Sequence, residues 1–167
     1  MPESAREKLM QLTLCLPVRL NEKQILLGMK KRGFGSGKWN GFGGKLKENE
    51  SLQQAAVREL LEETGLRTSK ESLEKVGEFK FGFPKKKEWD QVVHVFVLRD
   101  WQGEPQESGE MRPEWFAFSE IPYESMWKDD EIWLPKVLEG KKLRAEFRFS
   151  EDNETIEEWK IKELDEF

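Results

Sequence analysis

Glu59, Glu62 and Glu63 stand at i, i+3 and i+4 near the end of the run from residue 44 to 66, GKLKENESLQQAAVRELLEETGL. On a helix that spacing puts three carboxylates on one sector. Like charges so placed oppose each other by ~0.2–0.5 kcal/mol per pair when exposed, and by more when partly buried. A hard cation with oxygen ligands relieves the conflict, and Mg²⁺ shared between carboxylates and substrate phosphates is the usual solution. The chemistry this predicts is metal-assisted hydrolysis, with water as nucleophile and one glutamate, Glu59 or Glu63, taking its proton. Arg58, one turn before Glu62, reads as a holder of carboxylates rather than a substrate contact. No Ser-His-Asp or Cys-His arrangement supports covalent catalysis.

The elements that position these groups are legible around them. Ser51 and Gln54 form a Ser-x-x-Gln capping box, which starts a helix. Residues 52 to 64 contain neither Gly nor Pro, and Gly65 supplies the left-handed residue that ends it. Leu52, Ala55 and Ala56 share the sector of the three glutamates, so an apolar inward stripe turns into acids at one end. A glycine-rich loop, Arg32 to Gly44, precedes the helix, where glycines let backbone come close to phosphate or metal. Lys30 and Lys45 flank it and are placed to meet phosphate charge.

Strands are expected at Leu12–Leu20, Gln24–Lys30, Val76–Phe83, Val92–Leu98 and Glu114–Phe118, with a closing hairpin from Phe147–Phe149 to Thr155–Ile161. A second helix is expected at Glu131–Leu138. This order implies an α+β fold, a mixed sheet with helices on its faces. The 167 residues fit one domain, with 1–10 as a flexible extension. A net charge of −5 without a basic stripe argues against polymeric nucleic acid as partner and leaves a small-molecule substrate and a monomer as the expectation. The single cysteine, Cys15, reads as a core residue in a reducing compartment, and no apolar run reaches membrane-spanning length. A cytoplasmic protein is expected. His94, in an apolar run, reads as a hydrogen-bonded core histidine.

Gly44, Glu50, Arg58, Glu59, Leu60, Glu62, Glu63, Gly65 and Leu66 also match, at every fixed position, the signature of the Nudix hydrolases. The runs GMKKRGFGSGKWNGFGGK, EMRPEWF and MWKDDEIWLP resemble the MutT-type members that hydrolyse oxidised purine nucleoside triphosphates. The resemblance implies an α/β/α sandwich and cleavage to the monophosphate and pyrophosphate with Mg²⁺, for which Mn²⁺ substitutes. It implies metal ligation by the Gly43 carbonyl, Glu59, Glu62, Glu63 and, from outside the helix, Glu110. Trp127 would stack on the purine, Asp129 and Asp130 would bond its edge, and Asn40 would contact the base. Phe34, Phe81 and Phe83 would line the pocket, with Thr13, Phe42 and Gly44 also against substrate.

The base residues make sense from below as well. Base–aromatic stacking is worth ~1–3 kcal/mol, and two close carboxylates in a dry pocket resist double ionisation, so one donates while the other accepts. Moving that proton would suit both 8-oxo-dGTP and 2-hydroxy-dATP. Trp39, Trp101, Trp115 and Trp159 read as packing, and Trp133 lies near the base site. Departures from the family pattern are a longer, more basic hairpin at Gly82–Gln91, Gly109 where Asp often stands, a longer first hairpin around Asn21 and an acidic tail after Phe149. The alternative within the family is hydrolysis of methylated dATP, dinucleoside polyphosphates, ADP-ribose or RNA caps. A non-catalytic Nudix module has no need of a repulsive carboxylate cluster.

Overall fold

The computed structural model describes residues 9–167. Its strands follow the apolar runs: β1 (Met10–Arg19), β2 (Gln24–Lys30), β3 (Trp39–Asn40), β4 (Leu73–Gly82), β5 (Gln91–Leu98), β6 (Met111–Ala117), β7 (Lys142–Phe149) and β8 (Ile156–Leu164). They form a mixed sheet in the order β3-β2-β1-β5-β4-β7-β8, with β6 also paired to β2. The β1–β5 and β4–β7 pairs are parallel.

One divergence in this sheet makes the site. β1 and β2 are paired only at Val18↔Ile25 and Arg19↔Gln24. β2 then leaves β1, while β6 pairs with β2 along its whole length, from Gln24↔Ala117 to Lys30↔Met111, and β3 pairs with it at Gly28↔Asn40 and Met29↔Trp39. The vacated edge of β1 is filled by the end of the glycine loop: Phe42 bridges Cys15 and Lys45 bridges Leu12. Thr13 N donates to the Gly44 carbonyl at 3.0 Å, and Phe42 N to the Cys15 carbonyl at 3.0 Å.

The helix α1 (Leu52–Thr64) is closed at both ends as its sequence requires. Ser51 Oγ accepts from Gln54 N at 3.1 Å, Gln54 Oε1 accepts from Ser51 N at 2.8 Å, and Gly65 takes φ 78°. Leu60 of α1 packs with Cys15, Leu26, Phe42, Leu66 and Met111 on one side of the sheet. The helix α2 (Asp130–Leu138) packs Trp133, Leu134 and Val137 with Phe79, Phe147 and the larger core on the other. The expected α/β/α sandwich is what forms. No helix among the described residues is long and apolar enough to cross a membrane.

Several boundaries differ from the sequence expectation. The expected flexible stretch 1–10 falls mainly on residues 1–8, outside those described, and Met10 already belongs to β1. β7 extends back to Lys142, because Leu143, Ala145, Phe147 and Phe149 alternate inward between charged residues. The acidic tail becomes the edge strand β8, whose charges answer those of β7, as in Arg148–Glu158 at 3.5 Å. The tip of the basic hairpin folds into a short 3₁₀ turn, Lys87–Trp89.

Candidate active site

The catalytic end is built on a contact that only glycine allows. A Cβ at Gly43 would lie 1.7 Å from the Thr13 carbonyl oxygen, and one at Gly44 would lie 2.8 Å from Glu59 Oε1. The loop backbone therefore runs directly beneath α1. Glu63 is buried and accepts from Gly43 N at 2.8 Å. Burial first, then the charges of Glu59 and Glu110, push the Glu63 carboxyl up to about 8, against the Gly43 hydrogen bond and the nearby Lys30.

Arg58 organises the other acids. Its Nε donates to Glu50 Oε2 at 2.6 Å and its Nη2 to Glu50 Oε1 at 2.9 Å. Its Nη1 donates to Glu59 Oε1 at 2.8 Å and to Glu62 Oε2 at 3.4 Å. A bidentate guanidinium–carboxylate fork of this kind fixes orientation as well as charge. It holds the Glu50 carboxyl well below its ordinary value. Glu50 was not assigned a role from sequence; its fixed spacing from Arg58 was the available signal. Glu110 is exposed and immediately precedes β6. Its carbonyl accepts from Lys31 N at 2.9 Å and its N–H is held by Ser108 Oγ at 3.3 Å.

Among the described residues, no three Asp, Glu, His or Cys side chains converge into a finished cage. Glu59 and Glu62 turn to Arg58, and Glu63 turns to Gly43. The donors nevertheless fit a hard divalent cation. They are all oxygens, and burial first, with the charge of Glu59 and then of Glu110 added, leaves Glu63 a carboxylate that a cation would relieve.

A cavity of about 560 Å³ starts at this end, between Gly43, Gly44 and Glu63, and runs to α2. Thr13, Lys30, Asn40 and Lys45 line it, as do Phe34, Phe81, Phe83, Trp127, Asp129 and Asp130. Arg58, Glu59, Glu62 and Glu110 lie outside its lining. Phe42 corrects an expectation: it is 0% exposed and sits in the core under α1. Its backbone pairing with Cys15 turns the ring away from the cavity.

The far end is aromatic and acidic. Phe34 stacks on Trp127 with centroids 5.0 Å apart, and Lys38 Nζ lies 5.2 Å from the Trp127 ring. Asp129 and Asp130 are 4% and 3% exposed, so they do not act as solvated acids at a helix terminus. Asp129 Oδ2 accepts from Trp133 Nε1 at 2.8 Å, while Asp130 Oδ2 is buried with no partner among the described residues. Burial raises both carboxyls, and the Asp129 charge raises Asp130 further. The pair therefore retains a proton near neutral pH, offering one donor and one acceptor. Asn40 Oδ1 accepts from Gly41 N at 2.9 Å, which leaves its NH₂ to donate.

Sequence reasoning missed Trp89, Gln91, Met10 and Phe149, which also line the cavity. Trp89 meets Phe34 edge-on at 4.7 Å. Its position in a hairpin that departs from the family pattern hid it. His94 lies elsewhere, on the sheet: its Nε2 is 2.7 Å from Gln11 Oε1, and burial pushes its pKa down to about 4.

A NUDIX domain matches residues 10–137, and the chain belongs to the Nudix hydrolase family, which makes it a pyrophosphohydrolase. Nudix hydrolases generally use divalent metal ions. The chain is 47% identical over 154 residues to a Danio rerio protein called oxidized purine nucleoside triphosphate hydrolase, covering 92% of this chain and 95% of that one. It is 47% identical over 148 residues to a Mus musculus protein of the same name, covering 89% and 92%. Among solved structures, the mutator MutT protein of Bacillus halodurans matches with a TM-score of 0.79 and 26% identity over 92% of this chain and 97% of that one. A MutT Nudix hydrolase of Burkholderia pseudomallei, at 0.61 and 24% identity over 68% and 86%, shares the fold.

Proposed function

We propose that the protein hydrolyses oxidised purine nucleoside triphosphates, 8-oxo-dGTP and 2-hydroxy-dATP among them, to the monophosphate and pyrophosphate, and so cleans the nucleotide pool. One observation carries this reading: the buried Asp129–Asp130 pair beside Trp127 closes a cavity whose other end is Gly43, Gly44 and Glu63. A purine held by the first end places its phosphates toward the second. The two relatives bear the corresponding name.

Mg²⁺, with Mn²⁺ able to substitute, would be held by the Gly43 carbonyl, Glu59, Glu62, Glu63 and Glu110, and supplies phosphate charge neutralisation and a more acidic water. The remaining work belongs to the chain. Trp127 and Phe34 fix the plane of the base, and the shared proton of Asp129 and Asp130 matches its edge. Lys30 and Lys45 face the phosphates. Arg58 Nη1 bridges Glu59 and Glu62 and offsets their mutual repulsion. Glu63, or Glu59, accepts the proton of the attacking water. The reading includes a monomer acting in the cytoplasm, in keeping with a lone cysteine that is fully buried.

The test is a panel of oxidised, methylated and unmodified nucleotides at low concentration with Mg²⁺, with products separated by chromatography. Preferential conversion of 8-oxo-dGTP and 2-hydroxy-dATP to monophosphates is expected. Preference for ADP-ribose, a dinucleoside polyphosphate or a capped RNA overturns it.

A further inference from the structure

Two rows of side chains across β1, β5, β4 and β7 floor the far part of the cavity, and they are apolar except at one position. Met10, Gln91, Phe81 and Phe147 stand side by side on β1, β5, β4 and β7. Leu12, Val93, Phe79 and Ala145 form the next row on the same face. Gln91 is 8% exposed and lines the cavity among these apolar side chains. An amide in such surroundings is costly unless its polar atoms find partners. Its Nε2 does, donating to the Trp89 carbonyl at 2.8 Å. A carbonyl only accepts, so this bond fixes which end of the amide is which. The Nε2 bond is the one side-chain hydrogen bond Gln91 makes among the described residues, so Oε1 has no donor there, and the side chain lines the cavity.

The carbonyl that locks Gln91 belongs to a braced hairpin. The Trp89 ring is wedged against Phe34 at 4.7 Å and Phe83 at 5.5 Å, and Lys86 Nζ lies 5.3 Å from the ring's centre. Phe83 N donates to Asp90 Oδ1 at 2.8 Å, closing the turn. Gln91 Oε1 is thus an acceptor that cannot be exchanged for a donor by turning the amide over, because turning it sets Oε1 against the Trp89 carbonyl.

Oxidising a purine carbon to a carbonyl converts an adjacent ring nitrogen from an acceptor into an N–H donor. This holds for N7 in 8-oxoguanine and for the ring nitrogen beside C2 in the keto form of 2-hydroxyadenine. We propose that Gln91 Oε1 reads this new donor, which makes Gln91 a specificity-determining residue for oxidised over parent purines. The inference rests on the base occupying this cavity, as in the function proposed above. A parent purine brings a lone pair to the same place, and two acceptors then face each other without a proton between them. Asp129 and Asp130 read the edge of the base; Gln91 reads the oxidation itself.

The test is calorimetric binding of 8-oxo-dGMP and dGMP to the full chain and to Gln91→Met, a volume-conserving change beside Met10 and Phe81. The monophosphates need neither turnover nor metal. The wild-type protein is expected to favour 8-oxo-dGMP, and the variant to lose about tenfold of that preference. The loss should come from weaker 8-oxo-dGMP binding, with dGMP unchanged or tighter. A second comparison needs no variant: 8-oxo-dGMP methylated at N7 lacks the donor and should bind the wild type no better than dGMP does. A ratio unchanged within twofold in Gln91→Met, equal weakening of both ligands, or a wild type without preference overturns the proposal. Turnover of 8-oxo-dGTP in the presence of such a result would leave the proposed function standing and this role of Gln91 refuted.

Discussion

Glu63 is the carboxylate that the fold accommodates least well by itself, and replacing it should make the metal-free protein more stable while ending turnover. Burial, then Glu59, carries its pKa from 4.5 up to about 8. Below pH 4.5 both the folded and the unfolded chain are protonated there, and the position costs nothing. As the pH rises from 4.5 to 8 the unfolded chain releases a proton that the folded chain keeps. Stability falls by about 1.4 kcal/mol per pH unit over that window. At pH 7.5 the accumulated loss is roughly 3–4 kcal/mol. Glutamine carries no charge at any pH, and its carbonyl oxygen keeps the bond from Gly43 N, now 2.8 Å. Glu63→Gln in a chelator should therefore match wild type at pH 4.5 and exceed it at pH 7.5 by roughly 3 kcal/mol, a rise in Tm of roughly 6–12 °C. Added Mg²⁺ should raise the wild-type Tm and narrow the gap, since a ligand of the folded state stabilises by mass action. Thermal melts followed by circular dichroism at the two pH values, with and without Mg²⁺, read all of this. A variant less stable than wild type at pH 7.5, or a gap independent of pH, would refute the argument, and near-normal turnover would refute the catalytic role.

Gly43→Ala forces a methyl into the Thr13 carbonyl at a nominal 1.7 Å. It should cost roughly 3 kcal/mol or more, and a Tm within about 2 °C of wild type would count against the close approach. Trp127→Ala should lower kcat/KM for the oxidised triphosphate roughly 5- to 150-fold, from a stacking contribution of ~1–3 kcal/mol, chiefly through KM; a loss confined to kcat would contradict stacking. His94 has its pKa depressed from 6.5 to about 4 by burial, so the stability it permits is complete above pH 6.5 and declines as pH falls toward 4. The size is roughly 2–3 kcal/mol, and urea titrations of His94→Gln should show a flatter acid limb across that window.

The catalytic helix could be read from sequence because its signals are local. Ser51, Gln54 and Gly65 need no tertiary partner to declare a start and a stop, and the three glutamates carry their spacing with them. The Asp129–Asp130 pair was visible as residue types, but its meaning depends on burial, which a sequence of Trp-Lys-Asp-Asp does not display. Phe42 was misplaced because alternation along an irregular strand is decided by its partner: the bridge to Cys15 sets which way the ring turns. The opening residues of β7 were overlooked because lysine, arginine and glutamate on its outer face mask the inward Leu143 and Ala145. Gln91 and Trp89 were hidden for a third reason. A hairpin with its own length has no pattern to be read against, and only the register Met10↔Gln91↔Phe81 shows that a polar side chain has entered the floor.

One of the parts that choose is mounted apart from the parts that cut. Gly43, Arg58 and Glu63 belong to β1's vacated edge and α1, whereas Trp89 sits in the turn joining β4 to β5 and Gln91 opens β5 directly after it. A lengthened or retuned turn can change which nucleobase is admitted while the hydrolytic machinery stays as it is. Diversification of this chain's diet is therefore cheapest in residues 82–91, and that is where substitutions accumulated between closely related enzymes should alter taste before they alter speed.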